Sequence, residues 1–133
     1  MALIVQKYGG TSVANLEKIR NVAERVVRAK EGGNSLVVVL SAMAGETDRL
    51  IGLANQASEN RPDDREYDAL IATGEQVTVT LLAITLNQMG HKARSFLAHQ
   101  VRIHTDRAHT KARILKVDTR EIEKEIKKGH VIV

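Results

Sequence analysis

The residues Val5-Gln6-Lys7-Tyr8-Gly9-Gly10-Thr11-Ser12 pair a lysine with two glycines and a hydroxyl pair, at a spacing suited to holding phosphate. Lysine supplies a compact cation, and glycine lets backbone N–H groups approach an anion closely. A helix starting just beyond adds the positive end of its dipole. In a P-loop the lysine follows the glycines, so this order is different. The other reading of Lys7 is a surface cation before a turn.

Ser41, Thr47 and Glu75 form a second candidate set. They lack the spacing of a nucleophile with its base, and neither GxSxG nor HExxH occurs. As ligands for a small zwitterion they are chemically apt. A carboxylate such as Glu75 binds an ammonium, while hydroxyls and helix N-terminal amides bind a carboxylate. The alternatives are a helix N-cap for Thr47 and a solvated helix carboxylate for Glu75. His91, His99, His104, His109 and His130 show no i, i+4 pair and there are no cysteines, so no metal site is expected.

Parallel strands are what would bring these residues together. Residues 3–7 read as a strand, and Leu16, Ile19, Val22, Ala23, Val26 and Val27 recur at helical spacing up to Gly32-Gly33-Asn34. The unbroken run Leu36–Leu40 reads as a strand covered on both faces of a parallel sheet, which makes a βαβ unit. Ligands bind beyond the carboxyl ends of such strands, where Lys7–Ser12 and Ser41–Asp48 both fall.

Further along, a helix is expected from Thr47 or Asp48, and Pro62 near the first position of the next. That helical stretch runs from Arg65 to Met89 with a break at Thr73-Gly74-Glu75-Gln76, since an interior glycine costs about 1 kcal/mol. A strand at Ala93–Leu97, a loop over 98–111 and a strand at Ala112–Val117 come next. Asp118 and Glu121 suggest a capping box for a helix ending at Gly129, and Val131–Val133 begins another strand.

The 133 residues suit one domain or part of one, with no second domain. Apolar residues make up 43% and aromatics 2%, so the core must be aliphatic. Residues 1–90 hold nine Lys or Arg against eleven Asp or Glu, and residues 91–133 hold eleven against five, so the net +4 arises in the C-terminal third. That basic excess is interleaved with acids and matches no nucleic-acid motif, so neither nucleic acid nor a membrane is expected as a partner. The absence of cysteine and of a signal-peptide pattern favours a cytoplasmic setting. No apolar run approaches the ~20 residues that span a bilayer.

Four segments together resemble bacterial aspartate kinase of the amino acid kinase superfamily. They are KYGGTS at Lys7–Ser12, SAMAGETD at Ser41–Asp48, ATGEQV at Ala72–Val77 and TDRAHTKARI at Thr105–Ile114. The resemblance implies a three-layer αβα fold with a mainly parallel sheet, here its N-terminal part, cut within the sheet. It implies ATP-dependent phosphorylation of the L-aspartate side chain to 4-phospho-L-aspartate, which enters lysine, threonine, methionine and diaminopimelate synthesis. Lys7 matches the lysine that stabilises the transferring phosphoryl group, and Tyr8, Gly9 and Gly10 match the phosphate loop. Ser41, Thr47 and Glu75 match aspartate-binding positions. ATP and Mg²⁺ brought with the nucleotide are the implied cofactors, and a homo-oligomer or association with the rest of the kinase the implied assembly. Ala72 and Ala14 depart from the serine and glycine often found there. Other readings are a kinase for glutamate, acetylglutamate or a nucleoside monophosphate, and a non-catalytic assembly module.

Overall fold

In the computed structural model, which describes residues 2–133, the apolar N-terminal stretch folds as β1 (Leu3–Tyr8), followed by a 3-10 turn over Gly10–Val13. Asn15 then caps α1 (Leu16–Glu31), its side-chain oxygen accepting the Lys18 amide at 2.9 Å. Gly33, at φ +83°, lets the chain leave that helix through the left-handed region. There follow β2 (Ser35–Leu40), α2 (Glu46–Ala57), α3 (Asp64–Ile71), α4 (Thr73–Gln88) and β3 (Ala93–Arg94). The last elements are α5 (Ala98–Val101), β4 (Ile103–Thr105), β5 (Ile114–Val117), α6 (Arg120–Lys127) and β6 (Val131–Ile132).

The main sheet has the order β1-β2-β6-β3, and every neighbouring pair is parallel. β1 and β2 pair from Leu3 with Ser35 through Tyr8 with Leu40, with α1 as the crossover. β4 and β5 form a separate antiparallel hairpin. The chain is therefore mixed α/β with a mainly parallel sheet.

One face of that sheet carries the core. Leu36, Val38 and Leu40 of β2 pack with Ile19, Val22 and Val26 of α1 and with Val79, Leu82 and Leu86 of α4. Each such side chain contributes about 1.5–3 kcal/mol by leaving water, so aliphatic residues suffice without aromatics. On the other face Leu3, Val5 and Val39 remain 61%, 64% and 45% exposed. Over that stretch β2 is covered on one side, whereas its sequence suggested both. Coverage of the second face begins at β6. Ile132 is buried, and Arg94, its register partner on β3, reaches Glu125 of α6 at 3.0 Å. Thus α6 stands opposite α1 and α4 and forms a partial third layer.

Several local expectations need correction. Asp63 caps α3 by accepting the Arg65 and Glu66 amides, so Pro62 lies outside the helix rather than at its first position. The break between α3 and α4 falls at Ala72, and Gly74 sits within α4. The strand expected at Ala93–Leu97 is only two residues long, because the Leu97 amide already turns to the Gln100 side chain at 2.9 Å to open α5. Residues 98–111, expected as loop, contain both α5 and β4. The capping box at Asp118 and Glu121 does not form. Asp118 instead takes the Arg120 amide and guanidinium, and Thr119 donates to Glu123 at 2.7 Å.

Taken together, Asp64–Gln88 are 25 residues long and apolar enough to cross a membrane by length and composition, a run the sequence reading did not find. Leu82 and Leu86 of this run are fully buried in the protein core, while Val77 and Ile84 are 48% and 59% exposed.

Candidate functional site

Because β1 and β2 run parallel and in register, the loops that follow them leave from the same edge of the sheet. The Ser41 amide donates to the Tyr8 carbonyl at 3.1 Å and ties the two loops at their start. Beyond that point they touch. A Cβ on Gly10 would lie 2.9 Å from the Ala42 carbonyl oxygen, so only glycine fits there without a shift. The start of α4 closes on Ala42 from another direction. Gly74 is buried, and a Cβ on it would meet the Ala42 Cβ at 2.9 Å. Ala42 is thus held between Gly10 and Gly74. The neighbouring Glu75 gains a specific position from this stack, its Oε1 accepting the Ala42 amide at 3.3 Å across 33 residues of sequence.

Lys7 is exposed and alternates with Tyr8, so the two side chains take opposite faces of the sheet. The Tyr8 hydroxyl donates to the Gln6 side chain at 3.0 Å. Burial pushes its phenol up, with the positive charges of Arg25 and Arg28 partly offsetting this. Tyr8 therefore turns its ring toward α1, and what it offers the loop is backbone. Gly9 is extended, at φ −79° and ψ 169°, and nothing lies within 4 Å of where a Cβ would be. Its openness leaves room for an incoming group. The two glycines thus have different reasons: Gly10 serves packing, Gly9 leaves access.

Ser41 is half-buried beside this junction, and Thr47 is exposed in the first turn of α2. Gly45, at φ +79°, is the N-cap of α2, which removes the N-cap reading of Thr47. Glu46 is bound bidentately by Arg49 at 2.8 and 2.7 Å, and that hydrogen bonding holds its carboxyl below the usual range. Glu46 is thereby occupied, while the Glu75 carboxylate keeps an exposed position at the edge. A cleft of about 360 Å³ adjoins Glu75, walled by Ala72, Gln76 and Val79 on one side and Phe96, Leu97 and His99 on the other.

Sequence reasoning placed Lys7, Gly9, Gly10, Ser41, Thr47 and Glu75 at one edge, and the fold brings their loops there. It missed Ala42, whose small side chain carries no chemical signal, and the packing role of Gly74. Among the described residues no three His, Asp or Glu side chains cluster to cage a metal ion. The donors at this edge are an ammonium, hydroxyls and backbone amides. They fit the phosphates of a nucleotide, with one carboxylate left for a cationic group.

A parallel α/β sheet with a lysine–glycine loop at its carboxyl edge is an arrangement suited to binding phosphate. The chain belongs to the amino acid kinase family, whose sequence profile matches residues 2–133. Within that family it is 56% identical, over all 133 residues, to an aspartate kinase of Stutzerimonas stutzeri, of which it covers 32%. It superposes on the crystal structure of aspartate kinase from Synechocystis with a TM-score of 0.79 at 43% identity, covering 98% of this chain and 21% of that one. The fold also matches E. coli aspartokinase III, solved with aspartate and ADP, with a TM-score of 0.84 at 20% identity over 99% of this chain and 40% of that one. The chain spans about a third of the length of the curated relatives it matches.

Proposed function

We propose that this chain is part of an aspartate kinase, in which it supplies the phosphoryl-stabilising lysine and the binding loops for aspartate. The observation that carries the reading is the Gly10–Ala42–Gly74 stack with the Glu75–Ala42 bond, which gathers the loops of three motifs at one sheet edge. The 56% identity to an aspartate kinase supports the choice of amino acid over glutamate or acetylglutamate.

In this reading an oxygen of the aspartate side-chain carboxylate attacks the γ-phosphorus of ATP. The bond from that phosphorus to its β,γ-bridging oxygen breaks, ADP leaves with the electron pair, and the product is the acyl phosphate 4-phospho-L-aspartate. Lys7 offsets the charge that moves over the phosphoryl oxygens. The open backbone of Gly9, with Tyr8 and Gly10 beside it, lies along the phosphates. Glu75 binds the substrate ammonium, and Ser41, Thr47 and the first amides of α2 orient its carboxylate. Mg²⁺ bound to the nucleotide would neutralise part of its phosphate charge, held by the phosphates rather than by a carboxylate cluster among the described residues of this chain.

Catalysis of this kind depends on holding two substrates together, so the 133-residue chain alone is inactive and works with the remainder of a kinase. The uncovered face bearing Leu3, Val5 and Lys7, with the free edge of β1, suits such an association or a second copy. The reading carries with it a cytoplasmic setting and a place in amino-acid biosynthesis. A coupled ADP-release assay with aspartate, ATP and Mg²⁺ tests it. No turnover is expected from the chain alone, and turnover is expected from a longer protein containing it, with aspartate preferred over glutamate and acetylglutamate. Ordinary turnover by the isolated chain would refute the partial-site reading. Equal use of the other acceptors would refute the choice of substrate.

A further inference from the structure

We propose a second oxyanion site, on the side of the phosphate loop away from Lys7, in the groove between the 3-10 turn and α1. The groove has a volume of about 360 Å³, and its polar lining comes from Tyr8, Thr11, Ser12, Lys18, Asn21 and Arg25. Lys18, Asn21 and Arg25 fall at i, i+3 and i+7 on α1, so one stripe of the helix faces the turn. Two cations, an amide and the hydroxyls of Thr11 and Ser12 converge there, the Tyr8 hydroxyl being given to Gln6, and no carboxylate lines the space.

The lysine is positioned in advance. Its ammonium donates to the Thr11 carbonyl at 3.0 Å, which holds it over the turn and leaves two N–H groups for a ligand. Arg25 lines the groove, and its charge and that of Arg28 reach the Tyr8 phenol, where they partly offset the effect of burial. Arginine and lysine beside hydroxyl donors recognise a phosphate dianion, the first by its planar fork and the second as a point charge. The volume admits a phosphate ester as well as free phosphate.

This site is separate from the proposed catalytic one, because Lys7 projects from the opposite face of β1. Amide chemical shifts of the ¹⁵N-labelled chain, titrated with inorganic phosphate against chloride at equal ionic strength, test it. Saturable shifts are expected at Thr11, Ser12 and Asn21. Arg25→Ala should weaken the phosphate response at these three amides about tenfold or more, since hydrogen bonds to charged groups are the strong ones, and Lys7→Ala should leave the response at these three amides in place. Both substitutions are at exposed positions, and circular dichroism checks that the fold survives. Titration with ADP separates the sources. Shifts at the same three amides assign the site to a nucleotide phosphate, and their absence assigns it to free phosphate or a smaller ester. No saturable shift with phosphate or ADP would overturn the proposal. So would shifts confined to Gly9 and Gly10 that vanish in Lys7→Ala, a result that would leave the kinase reading intact.

Discussion

Gly74→Ala tests whether the contact at Ala42 sets the geometry of the site. The new methyl would sit 2.9 Å from the Ala42 Cβ, 3.5 Å from Leu50 Cδ1 and 3.7 Å from Glu46 Cγ. The last two are ordinary contacts, but the first is not. Carbon atoms prefer about 3.5–4.0 Å, so α4 and the β2 loop must separate by about 0.6–1 Å. Neither partner can rotate away, because both are methyls fixed to backbone. Replacing an interior helix glycine by alanine gains about 1 kcal/mol, whereas overpacking costs about 1–3 kcal/mol. The net expectation is a destabilisation of about 1 kcal/mol, read as a lower urea midpoint with unchanged slope. Ala42→Gly in the same chain should relieve the clash. A double-mutant cycle should then give a coupling of about 1 kcal/mol or more. The separation also stretches the Glu75–Ala42 hydrogen bond, now 3.3 Å, past useful length, so the Ala42 amide should lose hydrogen-exchange protection. If Gly74→Ala raised the midpoint, or the coupling were below about 0.5 kcal/mol, the stack would not be the constraint described above.

Other consequences are open to measurement. Lys7→Ala in a longer, active protein should reduce kcat by about 10²-fold or more, as loss of a group that stabilises transition-state charge does, while leaving the unfolding midpoint nearly unchanged because Lys7 is exposed. Survival of kcat would remove the role assigned to that lysine. Glu125 is 2% exposed and lies 2.7 Å from Lys128, 3.1 Å from His130 and 3.0 Å from Arg94. The hydrogen bond from Lys128, with help from Arg94, holds its carboxyl below the usual range against the opposing effect of burial. The stabilisation is therefore complete above the unfolded value of about 4.3 and fades as pH falls through the lower folded value. Glu125→Gln should flatten that acid limb in urea midpoints measured against pH, and an unchanged limb would exclude Glu125 as its source.

How much of this was legible depended on whether the signal was local. β1, α1 and β2 were readable because apolar periodicity and the glycine stop at Gly32 and Gly33 are properties of neighbouring residues. The parallel pairing followed from the helix between them. Of the hairpin, β5 was readable as the strand expected at Ala112–Val117, whereas β4, three residues over Ile103–Thr105, is too short to show a period. At the start of α6 the capping pattern misled for a different reason. Arg120 outcompetes the capping-box geometry for Asp118, a choice set by charge rather than by spacing. Ala42 could not have been singled out, because its importance is the absence of bulk at a contact between segments distant in sequence.

The same contact explains why the chemistry resides at this edge and not elsewhere on the sheet. Parallel strands deliver each following loop to one side, but they do not fix the distance between loops. Gly10 and Gly74 do so by admitting Ala42 where any side chain would hold it off, and Ser41 and Glu75 flank Ala42 and Gly74 in sequence. Gly10 of KYGGTS is, on this geometry, a spacer. Gly9 keeps the open approach, so replacing Gly9 should affect ligand binding while replacing Gly10 should affect stability first. Urea midpoints and phosphate titrations of Gly9→Ala and Gly10→Ala would separate the two roles, and equal loss of stability in both would refute the division.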